Sequence, residues 1–402
     1  MIESNRPALE GLPFPKGSGA LSGIKVIDVG SAVAGPWAST WLADHGADVV
    51  LVEPVGGMDT MRSTGPVSGD TSGSWVQLHR NKRAIRVNLK APEGQGLIRR
   101  LVAGADVFSQ NMRPGVIERL GLGYDDLRVL NHDLIYLSVS GFGATGPYSD
   151  QPVYDPIIQA LSGMADMQGG DYIKTFAADK IAAMTAANAV LVALVGRGRG
   201  TGGQHVEVNL LDAVVSWLWM DCMWNQAIDK TPPVPTYTDW YSPYDTSDGQ
   251  IAATWVTDAQ FISATTALRA EHLAVDPRFL SRADRMGNAN EMRVAVSEEI
   301  IKWKRDDLIA SLRANDVPCG PVLTRDEVRF DPQVLHNEVV IEQQHATEGL
   351  VRIAKAPASL GATPAPEPRP APGYGEHTDE VLTEAGISSD ELARLRADGV
   401  VA

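Results

Sequence analysis

LSGIKVIDVGSAVAGPWASTWLADHGADVVLVEP, residues 21–54, holds two apolar runs, IKVID (24–28) and VVLVE (49–53), on either side of a small-residue loop and a helix-compatible stretch. Strand, helix and strand within about 30 residues form a parallel crossover unit, because parallel neighbours need a long return connection. The theme repeats with AIRVNL (84–89), an amphipathic stretch at 92–102, DVFSQ (106–110) and LIYLSVS (134–140). A doubly wound α/β sheet is therefore expected. Beyond residue 155 the pattern turns helical, first over 157–167 and then over an alanine-rich stretch at 179–196 that reads as buried on most sides. HVEVNL (205–210) returns to strand, and SWLWMDCMW (216–224) is apolar and rich in tryptophan.

The 402 residues suffice for two cores. Residues 230–243, with Pro232, Pro233 and Pro235, read as a linker. The expected division is a large domain over 1–229, a small α+β domain over 230–330, and a return to the large domain with a C-terminal tail over 331–402. The small domain is expected to hold a strand at 250–256, helices near 258–269 and 289–312, and a return strand near 317–323. A second proline-rich stretch, 357–372, precedes a short helical tail.

Hydrophobic content of 44% with 21% charged residues is the balance of a globular chain, and no apolar run reads as reaching the roughly 18–20 residues that span a bilayer. The start, MIESNRPALEGLPFP, lacks the basic-then-apolar pattern of a signal peptide, and Cys222 and Cys319 do not make a disulfide framework. A cytoplasmic location is expected. A net charge of −15 argues against nucleic acid or an anionic membrane as partner, since both bind through Lys and Arg. Between His79 and Arg119, however, nine Lys or Arg stand against three acids, a local surplus of +6. That is either an anion site or a solvated basic face.

The loop GSAVAGP (30–36) lets backbone N–H groups approach a ligand at a helix N-terminus, but it is not G-x-G-x-x-G. The sequence also lacks a P-loop, H-E-x-x-H, paired C-x-x-C and G-x-S-x-G, which removes the commonest NTPase, zinc and serine-hydrolase readings. No ligand cluster for a metal is visible. Asp155 and Asp179 each precede an apolar helix, where a carboxylate is either a helix N-cap or a nucleophile.

One ordered set of segments changes the weighing: LSGIKVID followed by AGP, GADVVLVEP, NKRAIRVNLK, NMRPGVIERLGLGYDDL, LIYLSVSGFGATGPY, YDPIIQALSG, TGGQHVEVNLLDA, DVPCGPV and GEHTDEVL. Together they resemble the family III CoA-transferases, which include formyl-CoA transferase and carnitine CoA-transferases, with α-methylacyl-CoA racemase as a cousin. The resemblance implies a Rossmann-like large domain, a smaller domain, and a homodimer of interlocked rings. It implies transfer of CoA from an acyl-CoA to a carboxylic acid, with no metal and no cofactor beyond the CoA of the substrate.

Within ADKIAAMTAANAVLVALVGRGRGTGGQ the resemblance places the nucleophile on Asp179, acting through aspartyl anhydride and aspartyl-CoA thioester intermediates. Lys90, Asn111, Met112 and Arg119 fall on CoA-contacting positions, with Val87 and Leu120 beside the adenine and Ala32, Val33 and Ala34 near the pantetheine arm. Asp155 and Tyr154 are secondary site residues. Tyr154 stands where the racemase branch carries histidine; with an ordinary pKa near 10 it is a poor base, which favours transfer over racemisation. A racemase or a non-catalytic acyl-CoA binding protein are the alternatives. Pro54 and Val33 depart from the arginine and glutamine of formyl-CoA transferase, and that enzyme's glycine-rich loop is not visible. Lys82 and Arg83 are candidate phosphate contacts or solvated charges, and His79 and Lys180 are either partners for a substrate carboxylate or ordinary surface residues. Trp217, Trp219, Trp224, Trp240 and Tyr241 read as core or dimer interface before ligand pocket.

Overall fold

The computed structural model describes residues 19–230, 232–234 and 241–402. They fall into two units: one running to Met220 and resuming over Glu338–Ala402, the other spanning Asp221–Asn337. Trp240 and Pro235 lie outside the described residues.

The first unit is built on six parallel strands, β1 (Lys25–Asp28), β2 (Asp48–Glu53), β3 (Arg83–Arg86), β4 (Val107–Gln110), β5 (Ile135–Ser140) and β6 (Gln204–Asn209). Their order across the sheet is β3-β2-β1-β4-β5-β6. Every neighbouring pair is parallel, so all six C-terminal ends share one edge, and the chain reverses its direction of winding between β1 and β4. Five of the strands lie within one residue of where the apolar runs placed them, while β3 stops at Arg86, three residues before the end of its run at 84–89.

Helix α1 (Ala34–Asp44) links β1 to β2, and α2 (Pro92–Val102) starts on a proline whose missing N–H costs nothing in a first turn. The expected helix over 157–167 is two: α3 (Asp155–Leu161) stops before Gly163, whose φ of +85° breaks the spiral, and one further turn follows. α4 (Ala177–Gly196) packs against α1 and against α5 (Leu210–Leu218). Its alanines 178, 182, 183, 186 and 187 form the buried stripe and let the helices approach closely.

Two expectations for this helix are corrected. It is not buried on most sides, since Met184, Val192 and Val195 are at least half exposed. In addition, Ala177–Thr201 is long and apolar enough, with mean hydropathy 1.5, to pass the length and composition test for a membrane span. Thr, Asn and Lys interrupt the apolar run, while the many alanines keep its mean high. Its packing along the sheet and two helices marks it as a core helix.

Ile27, Ile85, Ile98, Phe108 and Tyr136 make the main core on one sheet face. The C-terminal segment completes it: α6 (Thr378–Glu384), α7 (Ser389–Ala397) and the residues after it bring Leu382, Leu395 and Val401 into the same cluster. Each such side chain stabilises by about 1.5–3 kcal/mol.

The second unit holds a three-stranded antiparallel sheet of Tyr244–Asp245, Gln250–Ala253 and Cys319–Pro321. Over it lie helices Asp258–Leu268, Ala289–Ile300 and Arg305–Ala314, with Phe261, Phe279 and Leu308 in the core. The expected helical span 289–312 is interrupted at 301–304, and the second piece starts at Arg305 without a side-chain cap.

Candidate active site

In an open parallel sheet, ligands bind beyond the C-terminal strand ends where the winding reverses. Here that point lies between β1 and β4, and its two loops are tied together. Ser31 donates its N–H to Asn111 Oδ1 at 2.8 Å, and Asn111 Nδ2 donates to the Ser31 carbonyl at 2.8 Å. Ala32 has a left-handed φ of +56°, and its N–H is held by Asp59 Oδ2 at 2.9 Å. A Cβ at Gly35 would stand 3.2 Å from the Asn111 side chain, which would have to give way by a few tenths of an ångström. Helix α1 begins without a side-chain cap at Val33, so its first amides face the edge unclaimed by a cap. Ala32 is partly exposed, whereas Val33 and Ala34 are buried.

The C-terminal end of α4 is anchored at the opposite edge. Arg197 pairs with Asp106, just before β4, at 2.9 Å, and Gly203 bonds the His132 carbonyl near the start of β5. A helix of 20 residues spans about 30 Å, more than the six-residue strands it lies along. Asp179, in its first turn, therefore sits at the edge that carries the loop 31–34.

Asp179 is the third residue of its helix, and Phe176 is the N-cap, which removes the capping role as its explanation. Among the described residues no hydrogen bond reaches its carboxylate. Burial, and second the charge of Asp155, push its pKa up to about 7. A first-turn carboxylate gains only about 0.3–1 kcal/mol from the helix dipole, so burial wins. Asp155 is itself buried: Oδ2 accepts the Asp179 N–H at 3.1 Å and Oδ1 accepts from Gln159 Nε2 at 2.6 Å. Tyr154, 76% exposed, is the N-cap residue of α3 and leaves its ring open to solvent.

The basic stretch resolves into two groups. Arg80 is buried against Asp44, Lys82 against Asp28, and Arg83 is bonded by Asp48, Glu380 and Glu384. Lys82 and Arg83 are thus neither solvated nor available to a phosphate. Arg99 and Arg100 bond the carbonyls of Gly121 and Gly386, and Arg86 stacks over Tyr374. Lys90, Arg113 and Arg119 are exposed on the segments following β3 and β4, and among the described residues their side chains take no hydrogen bond or ion pair. Met112 and Leu120 pack partly against the core beside them.

Val87 is fully buried and bridges Val401, so it lies beneath that surface and not on it. His79 is corrected from a surface residue to one with no exposure, stacked on Trp75 at 3.8 Å, its pKa held well below 6.5 by burial and then by Lys82 and Arg62. Lys180 donates to Thr175 Oγ1 at 2.8 Å. Pro54 follows a β2 end whose Glu53 is taken by Arg62 at 2.7 Å. Trp217 and Trp219 are exposed and belong to no core.

The second unit carries a cavity of about 650 Å³ walled by Tyr241, Tyr244, Trp255, Met286 and Met292, with Arg282 at its lining. It contains none of the acids discussed above. Among the described residues no group of three or more His, Cys, Asp or Glu is placed to hold a metal. The sequence reading passed over Asp59 and Gln159; the only signal for the latter was its place one turn after Asp155.

The model of the family described as CoA-transferase family III matches residues 21–378. The chain belongs to CoA-transferase family III. It is 36% identical to the succinate–glutarate CoA-transferase of Agrobacterium fabrum, over 92% of this chain and 97% of that one. The human succinyl-CoA:glutarate CoA-transferase is 30% identical, over 95% and 90%. Among solved structures, a CAIB/BAIF family protein from Brucella suis matches with a TM-score of 0.81 and 31% identity, over 92% of this chain and 100% of that one. The chain is accordingly an enzyme, a CoA-transferase, whose substrates are an acyl-CoA and a carboxylic acid.

Proposed function

We propose that CoA transfer runs through covalent intermediates on Asp179. The observation that carries this is a partly buried carboxylate without hydrogen bonds among the described residues, at the C-terminal sheet edge, with its pKa near 7. A carboxylate freed of hydrogen bonds keeps its lone pairs for attack. One Asp179 oxygen attacks the thioester carbonyl carbon, the C–S bond breaks, and CoA leaves as thiolate. The thiolate then attacks the aspartyl carbonyl of the anhydride, giving an aspartyl-CoA thioester and releasing the first acid. The acceptor carboxylate and the returning thiolate repeat the two steps in reverse order and restore Asp179.

Lys90, Arg119 and the amides at the start of α1 are the proposed holders of the CoA phosphates, with Ala32 beside the pantetheine arm. The relatives' names make succinyl-CoA with glutarate and other dicarboxylic acids the first pair to try. A homodimer is part of the proposal: Met184, Val192 and Val195 of α4, with Ile157, Leu161 and Trp217, leave an apolar face that a second copy would cover.

The test is to incubate the enzyme with succinyl-CoA and a panel of acids, reading new CoA thioesters by mass spectrometry. With donor alone, a fraction should carry covalent CoA that hydroxylamine removes, leaving its mark on Asp179. A mark on Asp155, or none with turnover intact, refutes the reading.

A further inference from the structure

We propose that Gln159 and Asp155 are positioning residues for Asp179, locking the start of α4 to α3 so that the Asp179 carboxylate is held in place without being bonded itself. This rests on Asp179 being the nucleophile.

Two segments, α3 and the loop 173–175, meet at Gln159, which is almost fully buried. Its Nε2 donates to Asp155 Oδ1 at 2.6 Å and to the carbonyls of Ile173 and Thr175 at 3.2 and 3.3 Å. Its Oε1 accepts the Ile173 N–H at 2.9 Å. One side chain thus pins the loop that enters α4, and it does so from α3. Asp155 completes the lock by accepting the Asp179 N–H, so the nucleophile is fixed through its backbone. Positioning through the main chain leaves the carboxylate oxygens free, whereas positioning through the side chain would spend them.

The same lock places one carboxylate beside another. Asp44 of α1, His205 and Glu207 of β6, Asp212 of α5, and Arg197 and Arg199 beyond the end of α4 lie on elements packed against this helix, and Lys180 is on the helix itself. Asp155 is the one charged group that contributes to the upward shift of Asp179. Asp155 therefore has a second consequence, a more basic nucleophile.

Two variants of the full chain test the proposal. Gln159→Met keeps the length of the side chain and removes its four hydrogen bonds; kcat should fall at least about tenfold with the KM for the acyl-CoA changed less than about twofold. Asp155→Asn keeps the shape and removes the charge. The pH titration of Asp179, followed by carbon-13 NMR of aspartate-labelled protein and assigned by its loss in Asp179→Asn, should move down by about one unit. If Asp155→Asn does not fold, the same titration in Gln159→Met, where a loosened turn admits water, should also move down.

A lowered melting temperature with kcat and the Asp179 titration both unchanged would overturn the proposal. The titration needs no turnover. If the parent transfers nothing, the covalent reading fails while the positioning of Asp179 is still measured.

Discussion

Asp28 and Asp179 are both acids beside the C-terminal sheet edge, and they have opposite surroundings. Asp28 has no exposed surface and is fully claimed: Lys82 Nζ stands 3.3 Å away, the Gly30 N–H donates at 2.9 Å, and the Ser39 hydroxyl donates as well. Lys82 in turn donates to the Pro36 carbonyl at 2.7 Å, fixing the first turn of α1. Asp179 is only partly buried, has no such partners among the described residues, and is driven towards the neutral form by that burial and then by Asp155. A buried charge with a full set of partners holds structure; a partly buried one without them has the perturbed titration that the proposed chemistry would use.

The largest effect that separates the two concerns turnover. Asp179→Asn and Asp179→Ala should fold, still bind acyl-CoA and lose transfer by several orders of magnitude, measured by steady-state kinetics. Asp155→Asn should retain measurable transfer. Full activity in Asp179→Ala would erase the contrast.

The Asp28 side is broken through stability. Lys82→Met leaves an uncompensated buried carboxylate and should cost about 3–5 kcal/mol in denaturant unfolding. Replacing both partners, with Asp28→Leu added, should recover most of that loss. A Lys82→Met variant as stable as the parent would show that the pair carries no structural role.

Next come the cations outside both acid sites. Lys90→Ala and Arg119→Ala should each weaken acyl-CoA binding by about 1.5–3 kcal/mol, with less effect on kcat, because a remote phosphate is held alike in ground and transition states. Calorimetric titration reads this directly, and unchanged affinity in both would move the CoA site elsewhere.

The smallest effect is the pH dependence of stability. The folded pKa of Asp179 near 7 lies above the unfolded value near 3.9, so between those values the folded state holds a proton that the unfolded state does not. Stability from this group is full below about pH 4 and is lost as pH rises through 7. Asp179→Asn should therefore equal the parent in stability near pH 4 and gain on it progressively as pH rises through 7.

Much of the fold was legible in the sequence because its signals are local. The runs at 24–28, 49–53 and 134–140 alternate with helix-compatible stretches, and local periodicity is sufficient to place strands and order the crossovers. The choice of Asp179 needed the wider pattern of motifs, since its own neighbourhood reads equally as a helix cap. The basic surplus overstated the free charge for a physical reason. Arg80, Lys82 and Arg83 find their partners 36, 54 and up to 301 residues away, at Asp44, Asp28 and Glu384. Counting charge along a segment cannot see partners supplied by other strands and by the C-terminal helices.

By itself, then, the sequence determined the parallel α/β class, the helix bearing Asp179, and the family, because these rest on composition and order along the chain. Only the tertiary structure decided which charges are spent internally, that His79 is buried, that Asn111 ties the β1 loop, and that Gln159 reaches from one helix to the entrance of the next. Those are distances between residues far apart in the chain, set by how the sheet and its helices pack.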